Sequence, residues 1–223
     1  MFFFPKETST ARVILRPTIT KPLQKVSICL RTFSELSRGY ALLSGATSKY
    51  FEAFLIMFYP PDSHNVYINN GLVVIKTTPE PLDWRHTCMT WDSDTGLVQF
   101  WVNGNPYPGG FSSKGSSITT DIILILGQEQ DSFGGGFDAK QSLVGEISDI
   151  HMWDYVLTQE DIQKVLSGDL HGNIINWKSL LYEIKGEVLV QPKNLRKSFL
   201  LIIYTLIIKI LQRSVQNMVI YLS

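Results

Sequence analysis

The sequence predicts an all-β protein, a sandwich or jelly roll of two antiparallel sheets with one amphipathic helix packed on one sheet. Two observations carry this prediction. Short runs rich in branched and aromatic residues, separated by turn signals, fill most of residues 10 to 157. One segment with helical spacing of its apolar residues follows them. The 223 residues suit one large β domain or two small ones.

The strand candidates follow one another with turn residues between them. They are residues 12–16, 26–33, 39–46, 53–59, 65–76, 85–92, 96–102, 121–128 and 143–156. In the run from Val98 to Val102, apolar residues alternate with Gln99 and Trp101, as one buried face of a strand requires. Asn103-Gly104 comes next and predicts a hairpin with a type I′ turn.

The helix is predicted to begin after Thr158, whose hydroxyl can cap the first turn. Asp161 follows three residues later, near the positive end of the helix dipole. The apolar residues that share one face are Ile162, Val165 and Leu166. Gly168 is the predicted end of the helix.

Charge and cysteine content, taken on their own, exclude few classes of function and do not fix the cellular location. Lysine plus arginine equals aspartate plus glutamate, so no global charge points to nucleic acid or to an anionic membrane. The two cysteines, Cys29 and Cys88, both lie in strand-like runs. A disulfide between them would stabilise the fold by about 4 kcal/mol in the chain-entropy model. Two buried free thiols in a cytosolic protein are the alternative.

The segment from Gly127 to Gln141 carries carboxylates and amides around a glycine-rich turn. Nothing hydrophobic closely flanks Glu129 and Asp131, so the segment is not expected in the core. Hard oxygen donors on a bendable loop suit a hard cation, and calcium takes six to eight such ligands. Carboxylates this close repel one another, and a divalent ion removes that cost. An acidic surface loop is the alternative interpretation.

A family resemblance rests on two motifs. Residues His86 to Ser93 read His-Thr-Cys-Met-Thr-Trp-Asp-Ser and fit the pentraxin signature His-x-Cys-x-Ser/Thr-Trp-x-Ser/Thr. The block from Gly127 to Gly145, with its run Gly-Gln-Glu-Gln-Asp-Ser-Phe-Gly-Gly, is similar to a second pentraxin block. With agreeing stretches such as Phe100 to Gly104, the chain resembles the short pentraxin family over residues 2 to 194.

The resemblance implies a two-sheet jelly roll with one long helix, assembled into a ring that is most often a pentamer. It implies two adjacent calcium ions per subunit, on the face opposite the helix. It also implies calcium-dependent binding of phosphocholine, phosphoethanolamine or carbohydrate ligands, and an acute-phase role in innate immunity with complement components as candidate partners. Cys29 and Cys88 match the family's intrachain disulfide, which implies a secreted protein whose leader is absent from this sequence.

The calcium ligands implied by the resemblance are largely present. Glu129, Gln130 through its carbonyl, Asp131 and Gln141 match the family pattern, and Asp138 stands where some members have glutamate. Aspartate is one methylene shorter than glutamate but still offers two oxygens. We therefore expect the ion shared by Glu129, Asp131, Asp138 and Gln141 to bind.

The second ion is expected to bind more weakly, because the family's Asp-Asn pair before a strand is missing. If Phe58 is aligned with the aromatic residue of the family's ligand pocket, Glu52 and Ala53 take the places of the pair. Without a gap, Phe51 and Glu52 face it. Either way only Glu52 can contribute, and the affinity could fall to the weak extracellular range, on the order of 10⁻³ M.

The ligand pocket implied by the resemblance also departs from the family. Phe58 is the expected hydrophobic wall and Tyr67 a second pocket residue. The acidic residue that would meet a choline ammonium falls at Leu72 or Val73, which are apolar. A quaternary amine would then have only aromatic and ion-mediated contacts, so a preference for phosphocholine is not implied.

The domain is expected to span residues 1–195, with residues 196–223 as an atypical hydrophobic tail outside it. The apolar run 199–211 contains Lys209 and is short for a bilayer span. A membrane anchor, an interaction helix and sequence that does not belong to the mature domain are the three interpretations, and the third is favoured. A membrane-tethered or structural pentraxin relative with weakened calcium dependence is therefore the alternative function.

Catalysis is not expected. Two-sheet jelly rolls also include glycosidases with Glu-x-Asp-x-Glu or Glu-x-Asp-x-x-Glu on one strand, and Glu129 to Asp131 supplies the first half. Ser132, Phe133 and Gly134 follow, so the second carboxylate is absent. Glycoside hydrolysis needs a pair of carboxyl groups.

Overall fold

In the part of the chain that the structure describes, the protein folds as two packed antiparallel sheets with one helix, as predicted. The computed structural model describes residues 1–79 and 81–192. Residues 2–189 form one compact unit. Of the described residues, Met1 and residues 190–192 belong to a second unit, within which the Met1 amino group donates a 2.7 Å hydrogen bond to the carbonyl oxygen of Gln191.

Each sheet has seven strands. The order in the first sheet is β10 (Asn105–Phe111), β9 (Leu97–Val102), β8 (Arg85–Asp92), β3 (Lys25–Phe33), β12 (Gly145–Trp153), β1 (Phe2–Phe4) and β14 (Leu189–Val190). The order in the second sheet is β13 (Tyr182–Lys185), β2 (Arg12–Leu15), β11 (Ile123–Leu126), β4 (Tyr40–Ala46), β5 (Phe54–Tyr59), β6 (Ser63–Ile68) and β7 (Gly71–Lys76). Short 3₁₀ turns lie at Ala139–Gln141 and Trp177–Ser179.

The main core lies between the sheets and explains the alternation in the strands. Its largest buried members include Trp91, Phe100, Phe54 and Phe4. A period of two sends one side of each strand into this core, while the other side faces the helix or solvent. Burial of this apolar surface is the main source of stability.

The helix α1 (Gln159–Ser167) confirms the predicted boundaries. Thr158 and Asp161 form a capping box, each side chain accepting a hydrogen bond from the other residue's backbone N–H. Gly168 ends the helix with φ of 88°, a left-handed conformation that glycine adopts without a steric penalty. Ile162 and Val165 pack on the outer side of the first sheet, in a separate apolar cluster with two tryptophans, Trp101 and Trp153.

Cys29 and Cys88 form a disulfide, as the resemblance implied. The two residues lie directly opposite each other on β3 and β8, and both are buried under the helix in the same apolar cluster. The bond therefore links two neighbouring strands that are 59 residues apart in sequence.

The hairpin at Asn103-Gly104 is confirmed, with φ of 50° and 79° at the two turn residues. The single strand predicted over 65–76 is wrong, since it is two strands joined at Asn69 and Asn70. These asparagines adopt φ of 48° and 65°, which asparagine tolerates better than most residues. Strand β10 was not predicted, because its prolines and glycines are typical of turns; it forms at a sheet edge, where proline is tolerated.

The tail predicted beyond residue 195, including the run 199–211, lies outside the described residues. Within residues 1–79 and 81–192, no helix has the length and apolar character needed to cross a membrane.

Candidate metal and ligand site on the second sheet

The predicted metal ligands gather at the second sheet, whereas the helix packs on the first. The segment from Gly127 to Asp131 follows β11 directly and runs beside β4. The backbone N–H of Gln130 donates to Ser44 Oγ over 3.1 Å. Ser44 lies opposite Leu55 on the outward-facing side of the sheet, so the acidic segment is anchored on that side.

Two glycines shape the acidic segment. Gly127 has φ of 82°, and a Cβ on it would lie 2.4 Å from the ring of Phe4. Gly136 has φ of 77°, and a Cβ on it would lie 2.7 Å from the side chain of Asp131. Other residues would therefore be strained at both positions. The glycine-rich turn folds back on Asp131, and a pair of backbone hydrogen bonds between Ser132 and Gly135 closes it.

Both polar atoms of the Gln130 side-chain amide form hydrogen bonds within the protein. Its amide nitrogen donates to the carbonyl oxygens of Ser44 and Ile123 over 3.1 and 3.0 Å. Its amide oxygen accepts a hydrogen bond from the backbone N–H of Gly134 over 3.1 Å. The backbone carbonyl is therefore the atom that Gln130 can offer to a cation.

Glu129 is the most perturbed carboxyl group of the site. Only 6% of the residue is exposed, and its Oε2 atom is buried without a hydrogen-bond partner. Burial, and after it the charges of the neighbouring carboxylates of Asp131, Glu52 and Asp138, together raise the pKa of Glu129 to about 7. A buried acceptor without a partner costs stability unless something satisfies it. A hard divalent cation would satisfy it and offset the repulsion among four carboxylates, so this donor set fits calcium.

Asp138 and Gln141 lie at the start and end of one 3₁₀ turn. One Asp138 oxygen accepts a 2.9 Å hydrogen bond from the backbone N–H of Lys140 and caps the turn. The turn is held from outside by Glu7, which pairs with Lys140 at 2.8 Å and with Arg38 at 3.0 Å. Arg38 also donates to the carbonyl oxygen of Ser142, the residue after the turn, over 2.8 Å.

Glu52 reaches the cluster from the loop before β5. Its backbone N–H donates to the Asn70 side chain over 3.2 Å, so the β6–β7 hairpin fixes its position. Burial, followed by the charge of Asp131, raises the pKa of Glu52. Ala53 is buried in the main core, whereas Phe51 is 43% exposed. The structure therefore supports the ungapped alignment, in which Phe51 and Glu52 stand at the family's Asp-Asn pair.

Three side chains elsewhere come close enough to share a metal but do not form a metal site. In the described part of the chain, Cys29, His86 and Cys88 are the one group of three such residues whose ligand atoms lie within 4.8 Å of one another. The two sulfur atoms are bonded to each other, so they are not thiolate ligands. The acidic residues of the second sheet are spaced more widely than this.

Phe58 was expected to form the hydrophobic wall of the ligand pocket, and that assignment needs correction. Its side chain does not lie on the outward-facing side of the second sheet, where the acidic segment is anchored. Phe58 is 3% exposed and packs in the main core, where Tyr40 meets its ring edge-on and the Arg85 guanidinium lies 3.9 Å from its centroid. Side chains alternate along β5, so Met57 faces outward instead. Met57 belongs to a small outer apolar cluster with Leu55.

Tyr67 packs against this outer cluster and lies opposite Leu55 on the neighbouring strand. Burial and then the charge of Glu52 raise the pKa of the Tyr67 phenol, which places it beside the acidic residues. Leu72 lies opposite Tyr67, whereas Val73 packs in the main core. The outward residue at this position is therefore Leu72.

Sequence reasoning missed two outward residues, Met57 and Tyr59. The Tyr59 hydroxyl donates to the Met57 sulfur over 3.7 Å. Burial raises the pKa of the Tyr59 phenol, and the charges of Tyr67, Glu129 and Glu52 act in the same direction. The signal that could have found them is the alternation of inward-facing and outward-facing side chains along β5. Once one residue of the strand is fixed as inward, every second residue must face outward.

Comparisons with known proteins agree with this architecture. The sequence description of the Pentaxin family matches residues 1–192. C-reactive protein of Xenopus laevis is 50% identical over 198 residues, which cover 87% of this chain and 83% of the relative. Serum amyloid P-component of Mus musculus is 41% identical over 194 residues, covering 86% and 87%. The native heptameric SAP-like pentraxin from Limulus polyphemus superposes with a TM-score of 0.76 at 25% identity, covering 84% of this chain and 92% of that one.

Proposed function

The chain belongs to the Pentaxin family, and from this premise we propose that it is a secreted, calcium-dependent pattern-recognition protein of innate immunity. Its ligands are phosphorylated groups similar to phosphocholine and phosphoethanolamine, or carbohydrates. The capture of such ligands, rather than catalysis, is the activity. The observation that carries the proposal is the unpartnered, buried Glu129 Oε2 inside a group of four carboxylates.

The residues divide between two calcium positions. Glu129, Asp131, Asp138 and Gln141 hold the first ion with side-chain oxygens. The second position uses Glu129 and Asp131 again with the Gln130 carbonyl, and Glu52 adds the single donor from the loop before β5. Phe51 offers no oxygen, so this position has fewer ligands and a lower affinity than the first.

The ligand is held by charge on one side and by apolar contact on the other. Calcium bound in the cleft supplies the positive charge to which an anionic oxygen of the ligand coordinates. Met57 and Tyr67 form the apolar surface beside it, in the role expected of Phe58 and Tyr67. The cation favours the charged form of Glu129, whose pKa the protein alone raises to about 7.

The assembly and location follow the family in the same proposal. We expect a homo-oligomeric ring, a pentamer in the simplest case, and the heptameric Limulus relative shows that other closed rings occur among similar chains. The buried disulfide between Cys29 and Cys88 is consistent with an oxidising, extracellular location. Complement components are candidate partners of such a ring, and the domain is proposed to end near residue 195.

Calcium titration of the full chain tests the proposal. Isothermal calorimetry is expected to show binding of calcium, with one site tighter than the other. The calcium-loaded protein is then passed over phosphocholine and phosphoethanolamine resins and eluted with chelator. Retention that requires calcium and is reversed by chelator supports the proposal.

The result that contradicts the proposal is the absence of calcium binding in calorimetry. Binding to liposomes that persists in chelator would instead favour the membrane-tethered alternative, which depends on residues outside the described structure. Incubation with a glycan panel, followed by an assay for reducing sugar, is expected to detect no hydrolysis, because Ser132, Phe133 and Gly134 leave Glu129 and Asp131 without the second carboxylate of the glycosidase motif.

A further inference from the structure

The outer side of the first sheet carries two stacked histidines, His151 and His171, beside the segment that leads from α1 towards β13. We propose that this segment, residues 169–179 and termed the strap, is held on the first sheet by hydrogen bonds to His151 and is released from the sheet in acid. The inference goes beyond the proposed function, because neither histidine belongs to the acidic cluster of the second sheet. It can therefore be tested in calcium-free protein.

The strap is bonded to β12, the strand that carries His151. The backbone N–H of Met152 donates to the carbonyl oxygen of Ile175 over 3.0 Å, and the Met152 carbonyl oxygen accepts from Ile174 and Ile175 over 3.0 and 3.2 Å. The indole N–H of Trp153 donates to the carbonyl oxygen of His171 over 3.0 Å. These bonds fix the strap directly beside the His151 ring.

His151 supplies an acceptor that only its neutral form has. Its Nδ1 atom accepts hydrogen bonds from the backbone N–H groups of Gly172 and Trp177, over 3.2 and 3.4 Å. Because both partners are donors, this pattern requires Nδ1 to be unprotonated. A protonated imidazole carries hydrogen on both ring nitrogens, so it would lose both bonds and point its own donor at two others.

His171 has an acceptor role of the same kind. Its Nε2 atom lies 2.8 Å from Lys178 Nζ, and an ammonium group can only donate, so the His171 proton is assigned to Nδ1. That Nδ1 atom is buried without a partner. The two imidazole rings are stacked, with centroids 5.3 Å apart and planes inclined by 27°. Protonation would therefore place positive charges face to face, next to an ammonium group.

The surroundings oppose protonation of His151 while the strap is closed. Burial and then the neighbouring His171 lower the pKa of His151 to about 4, and Lys178 acts in the same direction. Asp149, on the same strand, acts in the opposite direction, and it also pairs with Arg31 of β3 at 3.3 Å. One carboxylate shared with an arginine thus faces two cationic neighbours.

The other elements packed here supply groups that are already matched. The residue opposite His151 on β3 is Cys29, which does not titrate because it is in the disulfide. On α1, Lys164 pairs with Glu160 at 2.9 Å. His86 lies on β8, beyond β3, with a ring nitrogen 3.7 Å from a disulfide sulfur.

Release of the strap would remove these constraints and return His151 to its ordinary pKa of 6.5. Since its pKa is lower in the closed form, His151 favours the closed strap above pH 6.5, and this contribution is lost as pH falls from 6.5 towards 4. Between pH 7.5 and pH 5, this one group is expected to raise the ratio of open to closed strap about 30-fold. Histidine is the side chain whose charge changes in this range.

Native-state hydrogen exchange of the full chain in chelator, at pH 7.5 and pH 5, measures the opening. Protection factors, which divide out the effect of pH on intrinsic exchange, are compared for the strap amides of Gly172, Ile174, Ile175 and Trp177. We expect their protection to fall about 30-fold between the two pH values. Amides of β5 and β6 on the second sheet report global unfolding in the same sample.

Two variants locate the acid response. His151→Asn offers an amide oxygen in place of Nδ1 and cannot gain a proton, so strap protection should persist at pH 7.5 and the fall at pH 5 should be less than about threefold. His64→Phe is the matched control on the second sheet. His64 is buried between Phe58 and Phe100 with both ring nitrogens unpartnered, so its replacement can alter global stability in acid but should leave the response of the strap unchanged.

A fall of about 30-fold that persists in His151→Asn overturns the inference. So does a native strap whose protection equals that of the second sheet at both pH values, since it would open only in global unfolding. Lys178→Gln decides the case in which His151→Asn loosens the strap already at pH 7.5. Lys178 is exposed, so the variant keeps the fold, and loss of its charge should reduce the acid response; an unchanged response overturns the inference. Calcium binding is measured separately, so the proposed function does not depend on any of these results.

Discussion

The helix α1 and the acidic cluster of the second sheet differ in how their polar groups are satisfied. At the two ends of α1 the chain supplies the partners itself: Thr158 and Asp161 cap its start, and Arg31 donates to the carbonyl oxygen of Leu166 over 2.7 Å in its last turn. At the acidic cluster, three carboxylates gather around Glu129, whose buried Oε2 has no partner in the protein.

This difference separates structure from function. Polar groups that the chain matches internally, such as those at the ends of α1, contribute to stability and need no ligand. A face that keeps like charges together and leaves a buried oxygen unmatched is costly for the protein alone. An external group that completes such an arrangement stabilises it, and sites of this kind are where function concentrates.

The largest expected effect comes from Glu129→Gln, which removes one charge but keeps the shape. We expect calcium affinity to fall by about 100-fold, equivalent to about 2.7 kcal/mol, and calcium-dependent retention on phosphate ester resins to be lost. The calcium-free fold should remain intact, because the variant also removes repulsion. Calorimetry and thermal unfolding in chelator provide the two measurements.

The matched control makes the same chemical change on the other face. Glu160→Gln alters an exposed helix residue whose partner is Lys164 at 2.9 Å. It should leave the calcium isotherm unchanged, since nothing on that face belongs to the proposed site. Equal loss in both variants would show that the two faces do not differ in the way described.

The next effect is the pH dependence of calcium binding. The pKa of Glu129 is raised to about 7, and the carboxyl group must lose its proton before it can ligate a cation. Calcium affinity should therefore fall by about tenfold for each pH unit below 7, as long as this single group dominates. Calorimetry at pH 8, 7 and 6 in buffers of matched ionic strength would measure it.

Stability of the calcium-free protein should follow the opposite course. Because its pKa is higher in the folded chain than the ordinary value of 4.5, Glu129 contributes stability below pH 4.5, and that contribution is lost as pH rises through 7. The difference in unfolding free energy between the native chain and Glu129→Gln isolates this group. A difference that does not change between pH 5 and pH 8 would rule out the raised pKa.

A smaller effect is expected from restoring donors to the weaker calcium position. The double variant Phe51→Asp with Glu52→Asn places an Asp-Asn pair where the structure supports the ungapped alignment. The weaker calcium affinity should improve by about tenfold, because hard oxygen ligands are added at an exposed position. The corresponding pair at Glu52 and Ala53 would bury the asparagine in the core and should destabilise the fold without improving affinity.

The smallest effect belongs to the helix side. Thr158→Ala removes the cap of α1 and should cost about 1 kcal/mol of stability. For a domain of this size, that corresponds to a fall in Tm of about 2–4 °C. Calcium affinity should not change. A change in calcium binding would show that the two faces are coupled, contrary to the comparison above.

The sequence alone determined the features that depend on local chemistry. The caps at Thr158 and Gly168, the turn at Asn103-Gly104 and the composition of the segment from Gly127 to Gln141 are all readable from neighbouring residues, because turns, caps and hard-oxygen clusters are built from short-range interactions. The two family motifs added the disulfide and the jelly roll, which the structure confirms.

Only the tertiary structure decided which side chains of each strand lie on the same side of the sheet as the acidic cluster. A strand that is apolar on both sides, such as β5 from Phe54 to Tyr59, carries no alternation that marks its outer face. Phe58 packs on Arg85 of the other sheet, which shows that its side chain faces inward. Because side chains alternate along a strand, Met57 and Tyr59 must then face outward. The gathering of Glu52 with Glu129 was likewise a tertiary result, since the sheet, and not the sequence, brings residues 77 positions apart together.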